Sequence, residues 1–252
     1  MRWLPGISFL ARGTRVTEGE PRGNDAELGL QGQHLNTPLE ARRRCYDRGR
    51  LEEAEMEGDP ISQLQRWLDD ASELDPLEPT AMALATCDEH DAPDARMVLL
   101  RYLDQRGLTF FGGLASAKGR QMAARPAAAA TLFWPVLERQ VRIRGAVEEL
   151  SRPEVQQYFS TRPRGSQLGA WASPQSQVIQ GGRAALDRMF EEVRERFGEG
   201  PGAGPVPLPA DWGGWRLIPA TMEFWQGRPN RLHDRLRYRL EGPNWRLQRL
   251  AP

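Results

Sequence analysis

Between Thr221 and Leu240 the chain places Arg231, His233, Arg235, Arg237 and Arg239 at alternate positions, interleaved with Leu232, Asp234, Leu236, Tyr238 and Leu240. Alternation of this kind predicts a strand, and Gly227-Arg-Pro-Asn230 ahead of it predicts the turn of a hairpin. Four arginines and a histidine on one face repel one another unless an anion faces them, although a solvated basic face has the same pattern. The chemistry such a face offers is capture of phosphate or carboxylate, with His233 available for hydrogen bonding or proton transfer.

Other polar residues of similar character lie outside the regular segments. Arg96 and Arg101 bracket a predicted strand. Tyr158, Arg162 and Ser166 recur at spacings of four, and Gln175-Ser176 and Trp225 follow. Gly112-Gly113 leads into a short predicted helix N-capped by Ser116 and carrying Lys118, the only lysine, a combination suited to an anion. Together these residues suit two phosphate groups and a stackable planar ring, the needs of an organic cofactor that brings its own chemistry. No P-loop, Gly-x-Ser-x-Gly elbow or His-Glu-x-x-His is present, and two cysteines with three scattered histidines give no metal-ligand spacing.

The elements that must position these residues are short. Helical periodicity covers Ile61 to Leu74, the stretch after Pro153, and Ala184 to Phe197. Strands are predicted at Thr80–Thr86, Arg96–Leu103, Leu108–Phe111, Ala127–Trp134, Arg139–Leu150 and from Trp215 to the C-terminus, while Arg162–Ser176 reads as irregular. The expectation is a mainly β protein with peripheral helices, a closed or nearly closed antiparallel barrel with one core. Residues 1–40 show no period and are expected to form a disordered extension, leaving 41–252 as the single domain. With 34 basic and 34 acidic residues the net charge is zero, which argues against a nucleic-acid or membrane-surface partner. No apolar run is long enough for a transmembrane helix, and a cytoplasmic location is the default expectation.

Several of these stretches occur in an order that resembles the pyridoxamine 5′-phosphate oxidase family: Arg96-Met-Val-Leu-Leu-Arg101, Glu138-Arg-Gln-Val-Arg-Ile-Arg-Gly145, Tyr158 to Trp171, Gln175-Ser176, and Glu223-Phe-Trp-Gln-Gly through Arg235. The likeness runs from about Arg43 to Pro252. It implies an FMN-binding split β-barrel, a homodimer with FMN at the subunit interface, and oxidation of pyridoxamine or pyridoxine 5′-phosphate to pyridoxal 5′-phosphate, with O2 reduced to H2O2. By position it implies FMN contacts at Arg96, Met97, Val98, Leu99, Leu100, Phe111, Gly112, Lys118, Gln140, Gln175, Ser176, Trp225 and Arg235. Substrate phosphate would meet Arg101, Tyr158, Arg162 and Ser166. Arg231 and His233 would place the pyridine ring over the flavin, and a segment matched by Arg43, Arg44 and Tyr46 would fold over the site. Three positions depart from the family pattern: Arg101 stands for a usual lysine, Ala117 for an arginine, and Gly112 for threonine or serine. The alternatives are a flavin oxidase of the phenazine type and a non-catalytic protein that binds flavin or pyridoxal phosphate.

Overall fold

The computed structural model describes residues 45–74, 78–198, 200 and 202–252. The expected extension at 1–40, and the positions Arg43 and Arg44, lie outside them.

Nine strands form one antiparallel sheet: β1 (Ala81–Cys87), β2 (Pro93–Leu99), β3 (Tyr102–Asp104), β4 (Gly107–Gly113), β5 (Ala127–Trp134), β6 (Arg139–Glu149), β7 (Trp212–Gln226), β8 (Asp234–Glu241) and β9 (Asn244–Arg249). Their order is β2-β1-β5-β6-β7-β4-β3, with β8 pairing on β7 and β9 on β8. The order returns on itself, because β2 and β3 are one run of chain broken at Leu100-Arg101. Its first part pairs with β1 and its second with β4. The predicted single strand over Arg96–Leu103 is therefore two, and the break turns Arg101 away from the β2 ladder: its N–H donates to Thr109 instead.

Strict alternation explains the core. Met82, Leu84 and Thr86 of β1, Ala130, Leu132 and Trp134 of β5, and Val141 and Ile143 of β6 all point inward and are buried. At Gly145 the β6–β7 register shifts, and a Cβ there would run into the Ile218 carbonyl; only glycine allows that approach. Helix α1 (Pro60–Leu74) starts where the Asp59 carboxylate accepts the Ile61 and Ser62 N–H groups. It lays Leu64, Trp67, Leu68 and Ala71 on the barrel, with Trp67 edge-on to Trp134 and Phe224.

Helices α2 (Ala117–Ala124), α3 (Arg152–Thr161), α4 (Arg164–Ala172) and α5 (Gly182–Phe197) complete the chain. Two expectations are corrected here. The stretch Arg162–Ser176 is mostly helix α4, in which Gln167, Leu168 and Ala172 are buried; Leu168 joins the cluster of Val155 and Phe159 from α3, and Gln167 donates to the Phe159 carbonyl. Leu150, Val155, Phe159, Leu168, Val206 and Trp212 also form a second, smaller buried cluster beside the barrel core.

Candidate functional site

A groove of about 470 Å3 runs between β2, the β4–α2 turn and the α3–α4 corner. Arg96, Met97, Val98, Leu99, Arg101, Phe111, Lys118, Tyr158, Arg162, Gln175 and Ser176 all line it, together with Asp94, Ala117 and Trp212. Gly112 and Ser166 line an adjoining hollow that shares Phe111, Arg162, Gln175 and Trp212. Leu100 does not: its side chain is in the barrel core.

One end of the groove is built by the β4–α2 turn. The Ser116 hydroxyl accepts the Gly119 N–H and caps α2. Lys118 is buried, and its ammonium donates to Gln175 Oε1 at 2.8 Å and to Ser116 Oγ at 3.1 Å. Burial, and then the charge of Arg96, lowers its pKa to about 8. A Cβ at Gly112 would lie 2.5 Å from Lys118 Nζ, so any larger residue there would shift the end of the lysine side chain. Arg96 is immobilised beside it: it donates to Thr86 Oγ1 at 2.5 Å, to Gln121 Oε1 at 2.8 Å and to Asp94 at 2.5 Å. Ser176 holds a left-handed backbone, φ 68°, of the kind that non-glycine residues keep mainly where surroundings enforce it.

At the other end, Tyr158, Phe111 and Trp212 stack, with Phe111–Tyr158 centroids 3.9 Å apart and Phe111–Trp212 5.6 Å. The Arg162 guanidinium lies 4.7 Å from the Trp212 ring. Its Nη1 is buried without a hydrogen-bond partner, and burial, with Arg101 nearby, depresses its pKa. Neither Arg101 nor Arg162 has an acidic partner among the described residues. Four cations thus line the groove against the single carboxylate of Asp94.

The remaining predicted residues gather elsewhere, around the β7–β8 hairpin. Trp225 lies opposite Gln140 across β6–β7 and opposite Arg235 across β7–β8. The rings of Trp225 and His233 are 4.7 Å apart, and Tyr46 stands edge-on to both at 5.6 Å. The Arg228 N–H donates to His233 Nδ1 at 3.0 Å, so the neutral ring carries its proton on Nε2. Burial first, and the charge of Arg231 second, lower the His233 pKa, with Asp234 opposing.

The basic face is reduced relative to the sequence reading. β8 begins only at Asp234; Pro229–Arg231 is a tight turn in which Asn230 and Arg231 have φ of 57° and 63°. Leu232 is consequently exposed and not inward-facing. Arg235 is neutralised by Glu223 at 2.8 Å, and Arg237 donates to Gln248. Trp212 and Asp94 were missed. Trp212 opens β7 and reaches the groove through its pairing with Gly113 of β4 and its ring contacts with Phe111 and Phe159, long-range contacts that no local period records.

Comparison with known proteins gives the family of the chain. Residues 69–197 match the family model described as pyridoxamine 5′-phosphate oxidase, and residues 212–252 match the pyridoxine 5′-phosphate oxidase C-terminal dimerisation region. A pyridoxine/pyridoxamine 5′-phosphate oxidase of Ectopseudomonas mendocina is 54% identical over 213 residues, covering 83% of this chain and 96% of that one. The enzyme of the same name from Cupriavidus taiwanensis is 49% identical over 217 residues, 86% of this chain and all of its own. Among solved structures, PhzG from Burkholderia lata in complex with tetrahydrophenazine-1-carboxylic acid is similar with a TM-score of 0.73 and 31% identity, covering 79% of this chain and 95% of that one. An FMN-binding protein of Nostoc punctiforme shares the fold, with a TM-score of 0.61 at 16% identity, over 77% of this chain and 98% of its own. The mainly antiparallel split barrel, the ordered motifs and these matches place the chain in the pyridoxamine 5′-phosphate oxidase family.

Proposed function

We propose that this protein oxidises pyridoxine or pyridoxamine 5′-phosphate to pyridoxal 5′-phosphate, with FMN as cofactor and O2 as acceptor, giving H2O2. The observation that carries the reading is Arg162: a stacked guanidinium with a buried, unpartnered Nη1, beside an equally unpaired Arg101. Two arginines without a counter-charge at one end of a groove, and Lys118 with Arg96 at the other, leave room for two anions. The residues therefore fit FMN, with its phosphate at the Lys118 end and the substrate phosphate at the Arg162 end.

Bound FMN supplies the two-electron acceptor. The chain's own groups bind and orient. Arg101 and Arg162 neutralise the substrate phosphate, while Tyr158 and Ser166 offer hydroxyls. The Nε2–H of neutral His233 and the Arg231 guanidinium position the pyridine ring. Met97, Val98 and Leu99 would hold the flavin from the groove of one chain, and Gln140, Trp225 and Arg235 would do so from the hairpin side of a second.

Because the hairpin residues do not line the groove of their own chain, the site is complete only if a second protomer brings its hairpin across. The match of 212–252 to a dimerisation region supports this. Sedimentation of the FMN-loaded protein is expected at twice the chain mass; an FMN-retaining monomer would contradict a shared site.

The decisive test is the visible spectrum of the purified protein, which should show flavin absorption that bleaches on anaerobic addition of pyridoxine 5′-phosphate. Absence of bleaching despite bound flavin would refute the reading. The similarity to PhzG makes an unphosphorylated ring acid the second substrate to try.

Ala117 lines the groove beside Lys118, where it contributes no charge. Ala117→Arg is expected to tighten FMN by the value of about one charge-assisted hydrogen bond, roughly 1.5–3 kcal/mol, or about tenfold or more in Kd. Fluorescence titration of the apoprotein measures it, and an unchanged or weaker Kd would refute a phosphate at this end.

A further inference from the structure

Residues Tyr46 to Glu53 cross the hairpin end of the barrel as a strap with almost no regular structure, held by side chains from elsewhere. Arg228 donates to the Gly49 carbonyl, Arg249 to the Leu51 carbonyl, and the Leu51 N–H donates to Asp234. The central anchor is Glu138, at the turn between β5 and β6. The residue is 1% exposed, yet it has no cationic partner among the described residues. Its Oε2 accepts the Asp47 and Arg48 N–H groups, at 2.9 and 3.1 Å. A buried carboxylate without a counter-charge needs such donors, so docking of the strap and burial of Glu138 are one event.

The same residue reaches the other side of the site. The Glu138 carbonyl accepts the Gly227 N–H at 2.8 Å, and the next N–H, of Arg228, holds His233 Nδ1. The strap also presses on Gly227: a Cβ there would lie 2.8 Å from Tyr46 Cβ. Glu138 keeps a left-handed backbone, φ 54°, to make both sets of bonds.

We propose that Glu138 is a positioning residue: its carboxylate docks the strap, and the docked strap holds Tyr46 against His233 and Trp225, setting the pyridine side of the site. This rests on the functional reading above. Nothing in it requires Glu138 to touch substrate or flavin.

Two measurements test it. In the FMN-free protein, amide hydrogen exchange at Asp47 and Arg48 should be slow, and should become fast in Glu138→Ala while core strands stay protected. In the FMN-loaded protein, Glu138→Ala and Tyr46→Ala should each raise KM for pyridoxine 5′-phosphate about tenfold, more than they lower kcat, and the double variant should be no worse than either alone. Glu138→Gln, which keeps an acceptor oxygen, should restore most of the loss. Unchanged amide exchange in Glu138→Ala, or additive effects in the double variant, would overturn the proposal. Should Glu138→Ala fail to fold, Tyr46→Ala and Gly227→Ala, which leave the carboxylate in place, decide it: both should raise KM, and an unchanged KM in both refutes it. Failure of the functional reading is separate, since it shows as an unsubstituted protein without turnover. The exchange experiment together with the Kd of pyridoxal 5′-phosphate in the same variants then decides the proposal.

Discussion

Arg162→Ala is expected to lower kcat/KM for pyridoxine 5′-phosphate about a hundredfold and to leave oxidation of unphosphorylated pyridoxine almost unchanged, on the basis that a charge-assisted hydrogen bond is worth about 1.5–3 kcal/mol and each 1.4 kcal/mol is tenfold. The guanidinium is fixed before any ligand arrives, by stacking on Trp212 at 4.7 Å and by burial of Nη1. A fixed donor with no internal acceptor loses little entropy on meeting a phosphate and is left stranded when the phosphate is absent. Arg101 has no such packing and is exposed, so Arg101→Lys should be mild: a point charge replaces a fork at a place where geometry is less constrained. Steady-state rates on the two vitamers measure both effects. Equal kcat/KM for phosphorylated and free pyridoxine in the unsubstituted protein would remove the phosphate clamp. An unchanged preference in Arg162→Ala would move it to other residues.

The parts of the fold legible in the sequence were those with one buried face and no competing demand. β1, β5 and β6 alternate because every second residue enters the core, and α1 shows its period because Trp67 and its neighbours all face the barrel. Helix α4 was not legible: Gly165, Ser166 and Gly169 have weak helix preference, and the helix stands because Leu168 and Ala172 are buried and Arg164 holds the carbonyls of Phe197 and Gly198 at the end of α5. The extended reading of 231–233 failed for a local reason, the left-handed Asn230 and Arg231 that follow Pro229. The unpaired look of Arg235 failed for a non-local one, since Glu223 reaches it only through the β7–β8 register. Family resemblance named residues that the structure gathers along the groove, but not that Gln140, Trp225, Arg231, His233 and Arg235 fall outside that lining, nor that Gly112 packs directly against the end of Lys118.

That hairpin carries the second large effect. Arg231→Ala should leave FMN bound and cut turnover at saturating substrate by about a hundredfold, the mark of a contact made mainly in the transition state. Arg231 is exposed, has no acidic partner among the described residues, and is held in a left-handed backbone at the tip of the turn. Its second effect is on His233. Burial and the Arg231 charge both disfavour the imidazolium, so His233 is neutral at pH 7 and donates from Nε2; protonation would also break the Arg228 N–H bond to Nδ1. Activity should therefore fall as pH drops through a value below the ordinary histidine range. Removing Arg231 takes away a cation that disfavours protonation, so the His233 pKa rises and the acid limb of kcat/KM moves to higher pH. Tyr46 and Trp225 pack against the ring without charge, and Asp234 remains to favour protonation, which reinforces the direction. A pH profile of the FMN-loaded variant, collected beside its flavin content, checks both effects. Full activity in Arg231→Ala, or an acid limb that stays or moves down, would return this turn to an ordinary solvated basic surface.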